Sequence, residues 1–388
     1  MKILYDSQAF DMQRHGGVSR CFVELYKHLP QDAKTRFSVI ETDNVYLNEI
    51  GFPKSGTTYD KFFCKKDSFI KKVIYKLYYN GKYRQYRRWN HMPQLNTYES
   101  IKQISSGDYD IFHPTFFSPY YLPILPKKPL VITVHDMITE LFPNYYPATD
   151  NQVVWKKLVL PKADHIVAVS ECTKRDLQRL FDIPEEKITV IYHGTDTAPY
   201  TPSATPPVEG EYILYVGDRW LYKNFGRLAK SMVPILKNHK DLHVVCTGSP
   251  FNDDEIRMLK DYGVYERFIQ KFITSNQEFM DIYHNAVAFV YPSEYEGFGI
   301  PILEAYKADC PVMLNNASCF PEIAGDAAIY FNMNDKGNNF EEQFETLYHL
   351  NNNEKEELLA KQRKQLKKYT WTDSAQQLAE VYRNVIAK

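Results

Sequence analysis

Residues 288–305 read AFVYPSEYEGFGIPILEA. The opening Ala288-Phe289-Val290-Tyr291 is apolar on both faces, as a strand covered by layers on each side has to be. A glycine-rich turn follows at Gly297 and Gly299. A helix is then expected from about Ile300, with Pro301 in its first turn, where a missing N–H costs nothing. Strand, glycine turn and helix in that order make the repeating unit of a parallel sheet whose crossovers are helical.

Outward from this stretch the same unit recurs. Tyr212–Val216 precedes a helix from about Asn224, and Leu242–Cys246 precedes one from about Asp253. Phe268-Ile269, Pro311–Leu314 and Ala328–Phe331 supply further strand runs. In the first half Ile3–Tyr5, Phe37–Ile40, Tyr109–Phe112, Leu130–Val134, His165–Val169 and Ile188–Ile191 read as buried strands, with helical patterns at 18–29, 151–162 and 171–181. Between the halves, Thr197–Gly210 holds four prolines in fourteen residues, which excludes a helix or a central strand and reads as a linker. The expected class is α/β, with two doubly wound Rossmann-like domains: 1–197, a linker at 198–210, and 211–370. The helical spacing of 371–388 allows a last helix that crosses back to the first domain.

Composition narrows the function. In 388 residues, 44% are hydrophobic and 24% charged, which rules out a disordered or collagen-like chain. The net charge of −1 carries no global signature of a nucleic-acid binder. Six cysteines, Cys21, Cys64, Cys172, Cys246, Cys310 and Cys319, form no C-x-x-C pair, which argues against a zinc ribbon or a disulfide framework. No apolar run is long enough for a signal peptide or a membrane span, so the expected location is the cytoplasm.

In open parallel sheets, ligands lie beyond the carboxyl ends of the strands. Four loops there hold unusual residues. Arg14-His15-Gly16-Gly17 stands between the first strand and its helix, where glycines let amides approach an anion or simply form a tight turn. His135 ends the very apolar strand Leu130–Val134 and either donates to a sugar hydroxyl or phosphate, or satisfies a local carbonyl. Gly217-Asp218-Arg219-Trp220-Leu221-Tyr222-Lys223 offers two cations to clamp a diphosphate, with a solvated charge pair as the plain alternative. The fourth is the opening stretch itself. The amides at Gly297, Phe298, Gly299 and Ile300 face an anion at a helix start, and Glu296 and Glu304 can accept from hydroxyls on either side of it.

Taken together these motifs resemble glycosyltransferase family 4, the retaining nucleotide-sugar transferases of the two-domain GT-B architecture, whose two sheets face a cleft. H-G-G-V, V-H-D-M-I-T-E-L-F-P, Y-I-L-Y-V-G-D-R-W-L-Y-K-N-F and Y-P-S-E-Y-E-G-F-G-I-P-I-L-E-A stand in the family's order. The resemblance implies that Glu296 and Glu304 are its E-x7-E pair, Glu296 by the donor sugar and Glu304 on the ribose. It also implies that Arg219 and Lys223 hold the diphosphate, Gly17 lets the first domain close over it, and His135 meets the transferred sugar. One departure is Asp309, where the family has glycine before its Cys-Pro-Val-like strand entry.

The implied reaction moves a hexose, mannose slightly favoured, from a nucleotide-diphosphate sugar to a glycan or lipid-linked acceptor of a surface polysaccharide. It needs no cofactor and no metal, because no D-x-D motif ends a strand. An alternative is a sugar-nucleotide epimerase or another non-transferase enzyme of that substrate class; a phosphorylase or a non-catalytic binder fits the residues less well. Lys61–Asn90 carries ten basic residues against one acid, interleaved with nine aromatics. Such a stretch is expected to dock on an anionic inner-membrane face, or else to form a solvated helix over its own core.

Overall fold

The computed structural model describes residues 1–54, 94–196, 198–219, 221–334 and 337–388. The basic-aromatic segment 61–90 lies outside them. The chain divides into two units: 1–169, 174–192 and 371–388 in the first, 170–173 and 193–370 in the second.

In the first unit, β1 (Lys2–Tyr5), β2 (Lys34–Phe37) and β3 (Ile111–His113) pair in the order β2-β1-β3. A second set, β4 (Val131–Val134), β5 (His165–Ala168) and β6 (Ile188–Val190), pairs as β4-β5-β6, and a bridge from Phe112 to Leu130 links β3 toward β4. Every pairing is parallel, with Tyr5 opposite His113 and Val134 opposite Ala168. Within each set all strands therefore end at one edge, which places Asp6 and His135 in loops that leave carboxyl ends. β2 runs earlier than the apolar run Phe37–Ile40 suggested. It is an edge strand whose first three residues are exposed or half-buried, so its pairing with β1, Lys2 opposite Lys34, rather than apolarity decides its extent.

The last helix, Trp371–Ile386, belongs to this first unit and packs on the helix Gly17–His28. Its apolar face buries Trp371, Ala375, Leu378, Tyr382 and Val385 in the core around Ile3, Phe22 and Ile111. A side chain such as Leu378 or Val385 contributes roughly 1.5–3 kcal/mol when removed from water. The Tyr382 hydroxyl lies 2.6 Å from His113 Nδ1 and 2.8 Å from the Tyr5 hydroxyl, so this buried hydroxyl is satisfied.

In the second unit six strands form one parallel sheet in the order β12-β11-β10-β7-β8-β9: β7 (Tyr212–Tyr215), β8 (His243–Cys246), β9 (Phe268–Gln270), β10 (Ala288–Tyr291), β11 (Val312–Asn315) and β12 (Ile329–Phe331). The chain builds outward from β7 through β8 to β9, then returns to lay β10 on the other side of β7. The order reverses between β7 and β10, which makes their carboxyl ends the topological switch point. The helix Phe225–Asn238 covers the sheet with Leu228, Met232 and Ile235, all fully buried.

The proline-rich stretch is not a free tether in this structure. Asp281, on the helix Asn276–His284, accepts from the Tyr200 hydroxyl, from the Ser203 amide at 3.0 Å and from Ser203 Oγ at 2.6 Å. Proline forbids helix and central strand but not an extended path along a surface, and residues 198–210 take that path within the second unit.

Candidate functional site

The crevice between β7 and β10 gathers most of the residues singled out above. After β7, Gly217 turns the chain at φ 105°, in the left-handed region that suits glycine. A methyl on Gly217 would stand 3.9 Å from Lys223 Nζ, so the ammonium lies over that turn. Lys223 Nζ is also 3.1 Å from Glu296 Oε1, with the two side chains only 16% and 12% exposed. Thus Gly217, Lys223 and Glu296 meet.

Backbone and side-chain bonds hold the two loops in this register. The Glu294 amide donates to Tyr222 O at 2.8 Å, and Asn224 Nδ2 donates to Pro292 O at 3.0 Å. Asn224 adopts φ 55°, a conformation asparagine tolerates better than most residues, just ahead of Phe225. Ser293 Oγ donates to Glu296 Oε1 at 2.9 Å, while Asn315 Nδ2 at the end of β11 donates to Ser293 O at 3.0 Å. The Glu296 amide donates to Ser318 Oγ at 3.1 Å, and that hydroxyl lies 2.6 Å from Glu296 O. Sequence reading missed Asn224, Ser293, Asn315 and Ser318. Only Ser293, three residues before a glutamate, carries a local signal.

Gly299, at φ 94°, caps the helix Ile300–Lys307, with Pro301 in its first turn and no side chain on the cap. A methyl there would meet Ile302 Cδ1 at 3.1 Å and Phe320 Cε1 at 3.4 Å, so conformation and crowding both call for glycine. Pro301 has no N–H and the Ile302 amide donates back to Gly299 O at 2.9 Å, so the Ile300 amide is the one in this first turn that an anion could use, where the positive end of the helix dipole favours it. One turn on, half-buried Glu304 accepts from the Tyr283 hydroxyl at 3.3 Å. Phe298 packs edge-on against His193 with ring centres 5.0 Å apart, which fixes the turn that Gly297 opens.

Arg219 makes several contacts within the second unit. Its Nε donates to Glu255 at 2.8 Å, and Nη2 donates to Ser249 O at 2.6 Å and Pro250 O at 2.8 Å. The guanidinium stacks on Phe251 at 4.8 Å and Phe225 at 5.5 Å, and the side chain is 3% exposed. Glu255 in turn closes the capping box of the helix Asp253–Asp261. Arg219 therefore ties the loop after β7 to the loop after β8 through Nε and Nη2, while its Nη1 has no hydrogen-bond partner among the described residues.

Asp309 stands at φ 52° just beyond the helix Ile300–Lys307, where a glycine would sit without strain. Arg363 holds its carboxylate with two bonds of 2.7 and 3.0 Å. The side chain's ion pair offsets the backbone penalty.

In the first unit the helix Gly17–His28 starts at Gly16, whose φ of 178° is ordinary extended backbone. A methyl on Gly16 would run into the Gln13 side chain, 2.3 Å from Oε1, and that same oxygen accepts from the Ser19 amide at 3.1 Å. Gln13, unnoticed in the sequence, occupies one of the amides that an anion would use. His135 follows β4 and packs against Phe22, ring centres 6.0 Å apart. Burial first, and then the charge of Lys156, push its imidazole down to about 4 against the upward pull of Asp136, so the ring is neutral at pH 7.

Known proteins fit this geometry. Residues 15–199 match the family model described as Glycosyltransferase Family 4, and residues 200–372 match Glycosyl transferases group 1. O-antigen chain mannosyltransferase B of Escherichia coli is 30% identical over 242 residues, 59% of this chain and 62% of that protein. O-antigen chain mannosyltransferase RfbU of Salmonella typhimurium is 28% identical over 219 residues, 55% of this chain and 59% of that one. The matched region thus spans roughly three-fifths of the length of these relatives. Among solved structures, Anabaena Alr3699/HepE in complex with UDP and glucose superimposes with a TM-score of 0.69 at 15% identity, covering 99% of this chain and 100% of that one. A glycosyltransferase from Rickettsia africae ESF-5 gives a TM-score of 0.64 at 15% identity, covering 99% and 98%. These likenesses show the fold, two Rossmann-like domains of GT-B type. The two family models meet at residues 199 and 200 and leave only the ends unmatched: the chain joins a region matching Glycosyltransferase Family 4 to a region matching Glycosyl transferases group 1.

Proposed function

We propose that this protein transfers a hexose, with mannose favoured, from a nucleotide-diphosphate sugar to a glycan or lipid-linked acceptor, with retention at the anomeric carbon. The observation that carries the reading is the Lys223–Glu296 contact of 3.1 Å across the β7–β10 switch point, set beside a helix that opens on a bare Gly299. The names of the Escherichia coli and Salmonella relatives support mannose.

Breaking the anomeric C–O bond puts positive charge on the sugar and negative charge on the departing diphosphate. Lys223 and the amides at Gly299 and Ile300 would receive the negative charge; losing one such donor commonly raises a barrier by ~2.7–4 kcal/mol. Glu296, engaged by Lys223 and Ser293, is placed to read sugar hydroxyls and is poorly placed as a base. Front-face attack then suits the site, with a leaving-group oxygen taking the acceptor's proton. Glu304 would accept from the ribose hydroxyls. Neutral His135 would donate to the transferred sugar without adding a charge. No metal or cofactor is needed in this scheme. Residues 61–90 are proposed to hold the protein at an anionic membrane surface near its acceptor.

Thermal-shift measurements against UDP-, GDP- and ADP-sugars, followed by NMR of the product anomer, test the reading. A nucleotide-sugar that stabilises the protein and yields the same anomeric configuration supports it; an inverted product overturns the mechanism. Loss of vesicle binding on neutralising Lys65, Lys66, Lys71 and Lys72 supports the membrane element, and unchanged sedimentation with anionic vesicles ends it.

A further inference from the structure

Lys156 is a fully buried lysine in the described part of the first unit. It sits on the helix Asn151–Val159 with its side chain 0% exposed. Lysine at such a depth is stable only when its ammonium is fully bonded. Here Nζ donates to Glu140 Oε2 at 2.9 Å, to Asp136 O at 3.1 Å and to Thr139 Oγ1 at 3.3 Å, which uses all three protons. The Phe117 ring closes the site from another side, 5.2 Å from Nζ. All three acceptors belong to one turn, His135 to Glu140, and to the short helix Ile138–Leu141 that follows it. Asp136 also bonds the start of that helix, its Oδ1 accepting from the Ile138 amide at 3.1 Å. Glu140 is itself 7% exposed, so the pair is buried on both sides.

We propose that Lys156 is the positioning residue of the His135 turn: its ammonium pins the backbone at Asp136 and the helix beyond it, so that His135 is held at the carboxyl end of β4. The inference rests on the reading that His135 meets the transferred sugar. Within the first unit, charged and titratable groups near the imidazole come from several elements. Asp136 lies in its own turn, Cys21 on the helix Gly17–His28, His113 on β3, Glu140 on the helix Ile138–Leu141, and Lys156 beneath. Burial pushes the Cys21 thiol far up and the His113 imidazole down to about 3, so both are neutral. Among the groups acting on His135, Lys156 is then the cation that opposes Asp136. A structural filler of the same shape would support the helix but not hold the charge state of the ring.

The test uses the full chain with labelled histidine and follows the His135 ring by NMR, assigned by its loss in H135Q. Lys156→Met alone leaves Glu140 buried and unpaired, so the working variant is the double K156M/E140Q, which removes both charges. Its expected behaviour is a His135 midpoint that rises as the cation lowering it is lost, with the acid limb of the transfer rate rising by the same amount and nucleotide affinity unchanged. Lys156→Arg, which keeps the charge, should hold the midpoint near that of the parent. An unmoved midpoint in K156M/E140Q overturns the inference. A midpoint that rises while the acid limb stays still upholds Lys156 as the keeper of the turn and refutes the role given to His135.

Discussion

Replacing Lys223 by methionine removes one positive charge from the β7–β10 crevice and keeps most of the stem. Lys223 Nζ stands 3.1 Å from Glu296 Oε1, at 16% and 12% exposure. At an effective dielectric constant of about 20 the gross attraction of such a pair is about 5 kcal/mol, and in fully solvated surroundings about 1.3 kcal/mol. Neither is the net effect on a ligand, because the ammonium already has a partner and the diphosphate must leave water. A charge-assisted hydrogen bond measured against that background contributes about 1.5–3 kcal/mol, or roughly 10–150-fold in Kd. Titration calorimetry with GDP or UDP should show that loss in K223M. The matching nucleoside, lacking phosphate, should bind both proteins alike. A diphosphate affinity within about twofold of the parent, or an equal loss for the nucleoside, would refute the argument.

Three further outcomes follow. Glu304→Ala should weaken nucleotide binding about tenfold, the scale of a hydrogen bond to a charged group, and a 2′,3′-dideoxy nucleotide should lose no further affinity in the variant; an undiminished affinity removes Glu304 from the ribose. Asp309→Gly gives up a half-exposed ion pair of about 0.2–1 kcal/mol but also a left-handed penalty of about 1–2 kcal/mol, so its melting temperature should stay close to the parent or rise, whereas Asp309→Ala should melt lower. Asp11 is held up to about 7 by burial, against bonds from Asn96 and Ser7. Between its unfolded value near 3.8 and 7 the unfolded chain ionises first and binds fewer protons, so this group lowers stability as pH rises through that window. Urea unfolding of Asp11→Asn should accordingly gain on the parent from pH 4 to 7; a constant difference across that range would contradict the assignment.

The strands were legible because central parallel strands must be apolar on both faces, and β7, β10 and β11 are buried throughout. β2 was misplaced because an edge strand is fixed by pairing and Lys34–Phe37 shows no such run. The Gly299 turn and the glutamates around it could be read because glycine, proline and carboxylate at that spacing are all locally constrained. Arg219 could not, since its partner Glu255 lies thirty-six residues away and only folding brings them together. The same holds for Tyr382 and His113, 269 residues apart, and for Lys156, which looks like any helix-surface lysine until Glu140 and Asp136 close over it. Asp309 was visible as a departure, but the compensating Arg363 was not.

A crystal structure with a bound nucleotide-diphosphate sugar tests the central claim most directly. The diphosphate is expected at the carboxyl ends of β7 and β10, with an oxygen within hydrogen-bond reach of Lys223 Nζ and of the amides that Gly299 opens. A diphosphate bound on the first unit's sheet, or held by groups that leave Lys223 on Glu296, would contradict it.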